Sequence, residues 1–229
     1  MRPIYDIIII GCGLGGLAAA IAIRKAGHRV TVYERAPNLA EASIGAGIQL
    51  PANCTRILKK WDLLPIVESI SVRPTCLVLR SYKSGKALFR QKARKDSATL
   101  HLLTHRADFL KVLAQKALDL GVTIHFGSTV SDIDFNKSSV KFSEEEEIQC
   151  DVVFGADGQK SRCRKMFFSR PDHPTTSGDL ACRIVLPVAT MQNNEKPTVM
   201  SRPAANTVNS SPRRNFRSLV ILPSYSSRT

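Results

Sequence analysis

Three glycines at fixed spacing are the first residues of this chain that could serve a chemical purpose. Gly11, Gly13 and Gly16 directly follow the apolar run Ile7–Ile10. In such an arrangement the first glycine permits a tight turn, the second lets backbone approach a phosphate, and the third lets a helix pack on a sheet. The N-terminus of that helix would present free N–H groups and a positive dipole end. The pattern predicts a site for the pyrophosphate of a dinucleotide.

A carboxylate completes the pattern about twenty residues after the glycines. Glu34 ends a second apolar run, Val30–Tyr33. A carboxylate at this point can accept hydrogen bonds from a ribose 2′-OH and would repel a 2′-phosphate. The opening residues therefore favour FAD or NAD over NADP at this site, and the ordinary alternative is a glycine-rich turn that binds no ligand.

The elements that must position these residues are a strand, a helix and a second strand. Four consecutive isoleucines indicate a strand buried on both faces, as in a parallel sheet. Residues 7–23 carry no charge, so a signal peptide or a membrane span is an alternative. Asp6 and the central glycines argue against it, and we expect a soluble, cytoplasmic protein.

Composition limits the other function classes. The 229 residues carry a net charge of +14, which could attract nucleic acid, but the basic residues are dispersed and accompany no aromatic stacking motif. The six cysteines include no C-x-x-C pair, which indicates reduced thiols and neither a disulfide framework nor a metal site. We expect no nucleic-acid partner, no metal and no membrane partner.

Later segments continue an α/β pattern. Residues 106–120 have apolar side chains at helical intervals and end at Gly121. Asn53 and Ser161 are candidate helix N-caps, and Ile57, Leu58 and Trp61 would share one face of the helix after Asn53. From residue 191 onward Pro, Ser, Asn and Arg dominate, so the sequence predicts a disordered tail over 191–229.

Four blocks of the chain, over roughly residues 4–190, resemble the class A flavin-dependent monooxygenases, the group of salicylate and 4-hydroxybenzoate hydroxylases. The blocks are Gly11–Gly16 with Glu34, Gly45–Pro51, Thr104–Leu110, and Asp151–Gly158 with Ser161 and Arg164. The resemblance implies FAD as cofactor, NADH or NADPH as reductant, and O₂ with an aromatic or polyketide-like small molecule as substrates. It does not indicate an oligomeric state.

The resemblance also assigns roles to individual residues. The implied cofactor-binding residues are Gly11, Gly13, Gly16, Glu34, Gly47, Arg106 and Asp157. Arg183 occupies a position that related fungal enzymes assign to the active site, where a cation could stabilise a phenolate or carboxylate. From the residues alone, Arg106 could equally be a surface arginine, Asp157 an ordinary Asp-Gly turn, and Arg183 a charge on a sheet surface.

The implied fold is a Rossmann-like FAD-binding domain interleaved with an incomplete β-rich substrate domain. The predicted boundaries are 1–72 and 99–172 for the FAD-binding domain and 73–98 and 173–190 for the partial substrate domain. The Gly-Asp-Ala-Ala-His-Pro motif that the family carries further along is absent from this sequence. The expected function is FAD-dependent hydroxylation, with a truncated and inactive remnant as the main alternative. A small NAD-binding reductase and a basic nucleic-acid-binding module rank below these two.

Overall fold

The computed structural model describes residues 3–42, 47–81, 84, 86–92, 100–143, 147–169, 182–187 and 216–221, with backbone alone for the last two ranges. The chain forms two compact units. The first combines residues 1–44 and 109–175, and the second combines residues 45–108 and 176–229. Across the part of the chain that the structure describes, no helix is long and apolar enough to cross a membrane.

The first unit is built on a parallel sheet, which confirms the predicted fold class. Its strands are β1 (Asp6–Ile10), β2 (Arg29–Tyr33), β8 (Thr123–His125) and β12 (Val152–Gly155). They lie in the order β12-β1-β2-β8. The isoleucine run lies in the centre, paired in parallel with both β2 and β12. Ile7, Ile8, Ile9 and Ile10 are all buried, as the unbroken apolar run predicts.

Helix α1 (Leu14–Lys25) connects the first two strands and packs against both of them. Leu17, Ala20 and Ile21 are fully buried, at the spacing that one helix face requires. The helix ends as the sequence predicts, because Gly27 adopts a φ of 97° that favours glycine. The longer helix α5 (Arg106–Asp119) stops in the same way at Gly121, whose φ is 79°.

A small antiparallel sheet buries the other face of the isoleucine strand. Strands β9 (Val130–Asp134), β10 (Ser139–Phe142) and β11 (Ile148–Gln149) form it. Ile8 and Ile10 share a buried cluster with Val130, Val140 and Phe142. Two short helices complete this unit, α2 (Leu39–Ala42) and α6 (Arg162–Phe168).

Among its described residues, the second unit contains three small sheets. Strands β3 (Gly47–Leu50), β4 (Ser71–Val72) and β7 (Leu102–His105) form an antiparallel sheet with β7 in the middle, and helices α3 (Ala52–Lys60) and α4 (Leu64–Ser69) join β3 to β4. Strands β5 (Cys76–Arg80) and β6 (Ala87–Lys92) form a hairpin, and strands β13 (Cys182–Pro187) and β14 (Phe216–Ile221) form a second antiparallel pair.

Three local predictions differ from the structure. Helix α3 begins at Ala52 after Pro51, two residues earlier than the Cys54 start that an Asn53 cap would give. The Asn53 side-chain oxygen accepts a hydrogen bond from the adjacent Cys54 N–H instead. On the same helix Ile57 is 47% exposed, whereas Leu58 is buried. Most of the predicted disordered tail lies outside the described residues, but Phe216–Ile221 forms a strand that pairs with β13.

Candidate functional site

The glycine turn is held tightly against the turn that follows β12. At Gly11, whose φ is 106°, an added Cβ would lie 2.5 Å from the Ala156 carbonyl oxygen. At Gly16 an added Cβ would lie 1.9 Å from the Gly11 carbonyl oxygen. Both distances are far below a normal contact, and the obstructing atoms are backbone. These two glycines are therefore required by the packing of the loop itself.

Gly13 is different, because an added Cβ would meet no protein atom within 4 Å. Its backbone is extended, with a φ of −76°, so an L side chain fits it without strain. Gly13 lies at the N-terminus of α1, where no side chain caps the helix and the first turn carries no acidic residue. The first N–H groups of a helix have no intrahelical acceptor. Open space at Gly13 and an uncapped helix end form a cradle that fits a pyrophosphate.

Glu34 lies directly beside this cradle. One carboxylate oxygen accepts a hydrogen bond from the Cys12 N–H at 2.7 Å, and the other accepts one from the Ala36 N–H at 2.8 Å. The structure thus brings Glu34 to the glycine turn, as the sequence pattern predicts. A carboxylate offers about four acceptor positions, so capacity remains for ribose hydroxyls.

The end of the sheet near Glu34 carries a stack of three rings that the sequence motifs did not reveal. Tyr33 lies between His125 and Phe142, with ring centroids 4.8 Å and 4.2 Å away. The backbone N–H of Glu34 donates to the His125 carbonyl oxygen at 2.8 Å. The stack therefore fixes the strand end from which Glu34 projects. The one signal in the sequence was an aromatic residue directly before the acid.

The Cys12 thiol is fully buried within the turn. Burial, and to a smaller extent the neighbouring Glu34 carboxylate, raises its pKa to about 12. Almost none of the thiol would be ionised near neutral pH, and thiolate is the reactive form. We expect Cys12 to resist iodoacetamide in the folded protein and to react after urea unfolding, as followed by peptide mass spectrometry. Labelling of native Cys12 as fast as the partly exposed Cys76 would contradict this assignment.

The Asp157 carboxylate organises the start of α6. It accepts hydrogen bonds from the Ser161 hydroxyl at 2.5 Å, from the Arg162 N–H at 2.6 Å and from the Cys163 N–H at 3.2 Å. Ser161 in turn accepts a bond from the Arg164 N–H, which confirms it as the helix N-cap. The sequence did not reveal this second use of Asp157. Because these donors are already engaged within the protein, the N-terminus of α1 is the better match for an anion.

Asp157 also gives a pH-dependent prediction. Burial opposes ionisation, but hydrogen bonds from Ser161 and from the Cys163 and Arg162 N–H groups outweigh it and hold the pKa of Asp157 below its usual value. A lowered folded-state pKa contributes stability above the unfolded-state pKa of about 3.9, and this contribution is lost as pH falls through the folded-state pKa. We expect Asp157→Ala to lower the free energy of unfolding by about 1–2 kcal/mol at neutral pH.

The check on that prediction is urea denaturation of both proteins at several pH values. The difference between them should shrink progressively below about pH 4. Asp157→Asn is the matched control, because its amide oxygen can accept the same N–H hydrogen bonds without carrying a charge. It should lie between the wild type and the alanine variant. A difference that stays constant down to strongly acidic pH would show that the carboxylate charge is not involved.

The remaining predicted site residues lie in the second unit. Gly47 begins β3 and pairs with His105, the residue directly before Arg106, so these two predicted cofactor residues lie at one end of one sheet. Arg106 is the first residue of α5. Arg183 lies in β13 with Val220 of β14 as its register partner, but its side chain lies outside the described part of the structure. The roles of Gly47, Arg106 and Arg183 therefore stay predictions.

Comparison with known proteins identifies relatives of this chain. A family model described as the FAD binding domain matches residues 4–223, which extends past the predicted limit near residue 190. The FAD-dependent monooxygenase OpS4 of Beauveria bassiana is 38% identical over 220 residues, covering 91% of this chain and 50% of that protein. The 6-hydroxynicotinate 3-monooxygenase of Pseudomonas fluorescens is 29% identical over 187 residues, covering 79% of this chain and 47% of that protein.

Solved structures agree on the fold. The tetrameric form of 2-methyl-3-hydroxypyridine-5-carboxylic acid oxygenase superposes with a TM-score of 0.72 at 24% identity, covering 83% of this chain and 49% of that one. The chain spans about half the length of the curated relatives it matches.

The residues present fit FAD. The cradle at Gly13 has room for a pyrophosphate, and Glu34 lies beside it with acceptor capacity for a ribose. The family match covers nearly the whole chain, and relatives that are themselves FAD-dependent monooxygenases align with most of its length. The chain belongs to the FAD binding domain family of flavin-dependent monooxygenases.

Proposed function

We propose that this chain forms the FAD-binding part of a monooxygenase that hydroxylates an aromatic or polyketide-like small molecule with NAD(P)H and O₂, in the cytoplasm. The single observation that carries the proposal is the cradle at the N-terminus of α1. Gly13 leaves open space there, no side chain caps the helix, and Glu34 is hydrogen-bonded to the same turn. Those features match an anionic dinucleotide whose adenosine ribose carries no 2′-phosphate.

The chain's own residues would hold and orient the cofactor. The N-terminus of α1 would bind the pyrophosphate through N–H groups and the helix dipole. Glu34 would accept hydrogen bonds from the adenosine ribose, and Arg106 would pair with a phosphate oxygen. When bound, FAD would supply the redox chemistry, taking electrons from NAD(P)H and delivering them to O₂. Arg183 is the proposed catalytic residue, as a cation beside an anionic substrate.

The names of the relatives support the substrate class. One relative is a hispidin-3-hydroxylase, another is a 6-hydroxynicotinate 3-monooxygenase, and a third is an asperlicin C monooxygenase. The first name specifies a hydroxylase, and the second specifies a monooxygenase that acts on a hydroxynicotinate. We propose a substrate of the same general kind for this chain.

A test of the proposal begins with the purified 229-residue chain. We expect it to carry, or to take up, FAD with a one-to-one stoichiometry that is visible as flavin absorbance and quenched flavin fluorescence. Addition of NADPH or NADH with candidate phenolic substrates should then give substrate-dependent oxidation of the nicotinamide. Colourless protein that ignores added FAD would overturn the proposal.

A second candidate is an inactive nucleotide-binding or partner-binding module derived from such an enzyme. The observation that favours it is that the cradle at Gly13 and the nearby Glu34 support nucleotide binding by themselves. The two candidates differ in one result. Stable FAD binding without any substrate-dependent NAD(P)H oxidation would support the module, whereas turnover would exclude it.

A further inference from the structure

Three exposed phenylalanine rings form a single patch on the first unit. Phe135 lies in the turn after β9, and Phe167 and Phe168 lie at the end of α6. The Phe167 ring meets both of the others edge to face, with centroids 5.6 Å from Phe135 and 5.1 Å from Phe168. In that order of residue number the three are 53%, 66% and 53% exposed. Single exposed apolar residues are ordinary, but a group of them in mutual contact marks a surface that binds something.

The backbone beneath this phenylalanine patch is well held. The Asp134 carboxylate accepts hydrogen bonds from the Asn136 and Lys137 N–H groups at 2.9 Å and 3.0 Å, which fixes the turn after β9. The Arg162 guanidinium donates to the Val130 carbonyl oxygen at 2.8 Å, which ties α6 to the same strand. The rings therefore project from two elements that are joined to each other, and the patch needs no rearrangement to form.

Cations surround the phenylalanine patch. Lys165 is exposed and lies three residues before Phe168, a spacing that makes two side chains neighbours on a helix surface. Lys137 lies in the same turn as Phe135, and its side chain is 68% exposed with the ammonium 3.7 Å from Asp134. Helix α6 carries three basic residues and no acidic one. The patch thus has an aromatic centre and a basic rim.

This combination indicates the kind of partner. Aromatic rings beside lysines match the boundary of an anionic bilayer, where rings enter the acyl layer and ammonium groups stay among the headgroup phosphates. Lysine is depleted at protein–protein interfaces, which makes a protein partner the poorer match. The net charge of +14 adds attraction to an anionic surface. We propose that the phenylalanine patch docks on the surface of a membrane that contains anionic phospholipids.

The proposal goes beyond the proposed function and does not depend on flavin binding. It also revises the expectation of no membrane partner, which rested on the dispersal of basic residues along the sequence. Folding brings Lys137 and Lys165 to one aromatic patch although they are distant in the chain. The contact is peripheral, because the rings lie at the interface and no segment crosses the bilayer.

Flotation of the 229-residue chain with vesicles tests the proposal. We expect the chain to float with vesicles of phosphatidylcholine mixed with phosphatidylserine and to bind vesicles of phosphatidylcholine alone at least about tenfold more weakly. Phe167→Ser should weaken binding to the mixed vesicles at least about tenfold, because it removes the most exposed ring of the patch. Lys165→Glu should weaken it about tenfold, because it reverses a charge at the membrane surface.

Each substitution has a matched control elsewhere in the chain. Leu88→Ser removes a side chain that is 72% exposed on β6, in the other unit. Lys111→Glu makes the same charge reversal at an exposed position of α5. Both control proteins should bind the mixed vesicles within about twofold of the wild type, since neither residue adjoins the patch. Circular dichroism checks that every variant retains the fold.

Four results would overturn the proposal. Absence of binding to the mixed vesicles and equal binding to both kinds of vesicle are the first two. The third is undiminished binding of Phe167→Ser, which would assign the attraction to dispersed charge. The fourth is a homodimer of the wild-type chain that Phe167→Ser dissociates, which would assign the patch to a second copy. FAD uptake is measured separately without vesicles, so failure of the flavin proposal remains distinguishable.

Discussion

Replacing Gly16 by alanine should lower the free energy of unfolding by about 3 kcal/mol or more. The new methyl group would lie 1.9 Å from the Gly11 carbonyl oxygen and 3.1 Å from its carbonyl carbon. Both atoms are backbone of the turn between β1 and α1, so relief requires the helix to move away from the sheet. Overpacking of this kind usually costs about 1–3 kcal/mol and more where backbone blocks the adjustment. A domain stabilised by about 5–15 kcal/mol would lose a large part of its stability.

The measurement is urea denaturation followed by circular dichroism. Gly15→Ala is the matched control, because it makes the same chemical change one residue earlier and its Cβ would meet nothing within 4 Å. On helix propensity alone, alanine at this position should be neutral or slightly stabilising. Equal stability of the Gly16→Ala and Gly15→Ala proteins would show that the helix does not approach the turn as closely as described.

Replacing Gly13 by alanine should instead weaken cofactor binding and leave the fold intact. The added methyl group meets no protein atom and the backbone conformation suits alanine. The unfolding free energy should fall by no more than about 1 kcal/mol, the cost of alanine at a helix cap. The methyl group would occupy the space into which the pyrophosphate must fit. We expect FAD affinity to fall about 100-fold, which corresponds to about 2.7 kcal/mol.

Flavin fluorescence titration of the Gly13→Ala protein measures the FAD affinity. Urea denaturation of the same preparation measures the free energy of unfolding. Gly15→Ala again serves as the control and should bind FAD as the wild type does, because its position is not one of the three spaced glycines. A Gly13→Ala protein that binds FAD normally would place the pyrophosphate elsewhere. Together, Gly16→Ala and Gly13→Ala separate the glycine required for packing from the glycine required for binding.

Local pattern was sufficient for the elements that position the site. The isoleucine run predicted a central parallel strand because a strand covered on both faces is typically a continuous apolar run. Gly27 and Gly121 predicted two helix ends because glycine readily adopts the positive φ that such an end requires. Both residues have a positive φ in the structure. Ser161 predicted a helix cap and makes the expected bond to the Arg164 N–H. Each of these inferences depends on residues a few positions apart.

The contacts that sequence could not reveal join residues distant along the chain. The approach of Ala156 to Gly11 spans more than a hundred positions, and no local pattern encodes it. The aromatic stack likewise combines Tyr33 with residues from β8 and β10. The Asn53 prediction was wrong because a locally favourable cap competed with Pro51, whose fixed φ suits the start of a helix equally well.

The hydrogen bonds of Glu34 have a consequence for anyone who would redesign cofactor preference. Its two carboxylate oxygens already hold the Cys12 and Ala36 N–H groups, with no ligand required. A substitution meant to admit a 2′-phosphate would therefore release two backbone donors and loosen the loop that must grip the diphosphate. In this chain, the proposed selectivity for the ribose and the hydrogen bonding of the loop depend on the same side chain. Changing the cofactor preference without loosening the loop would require another hydrogen-bond acceptor near the Cys12 N–H.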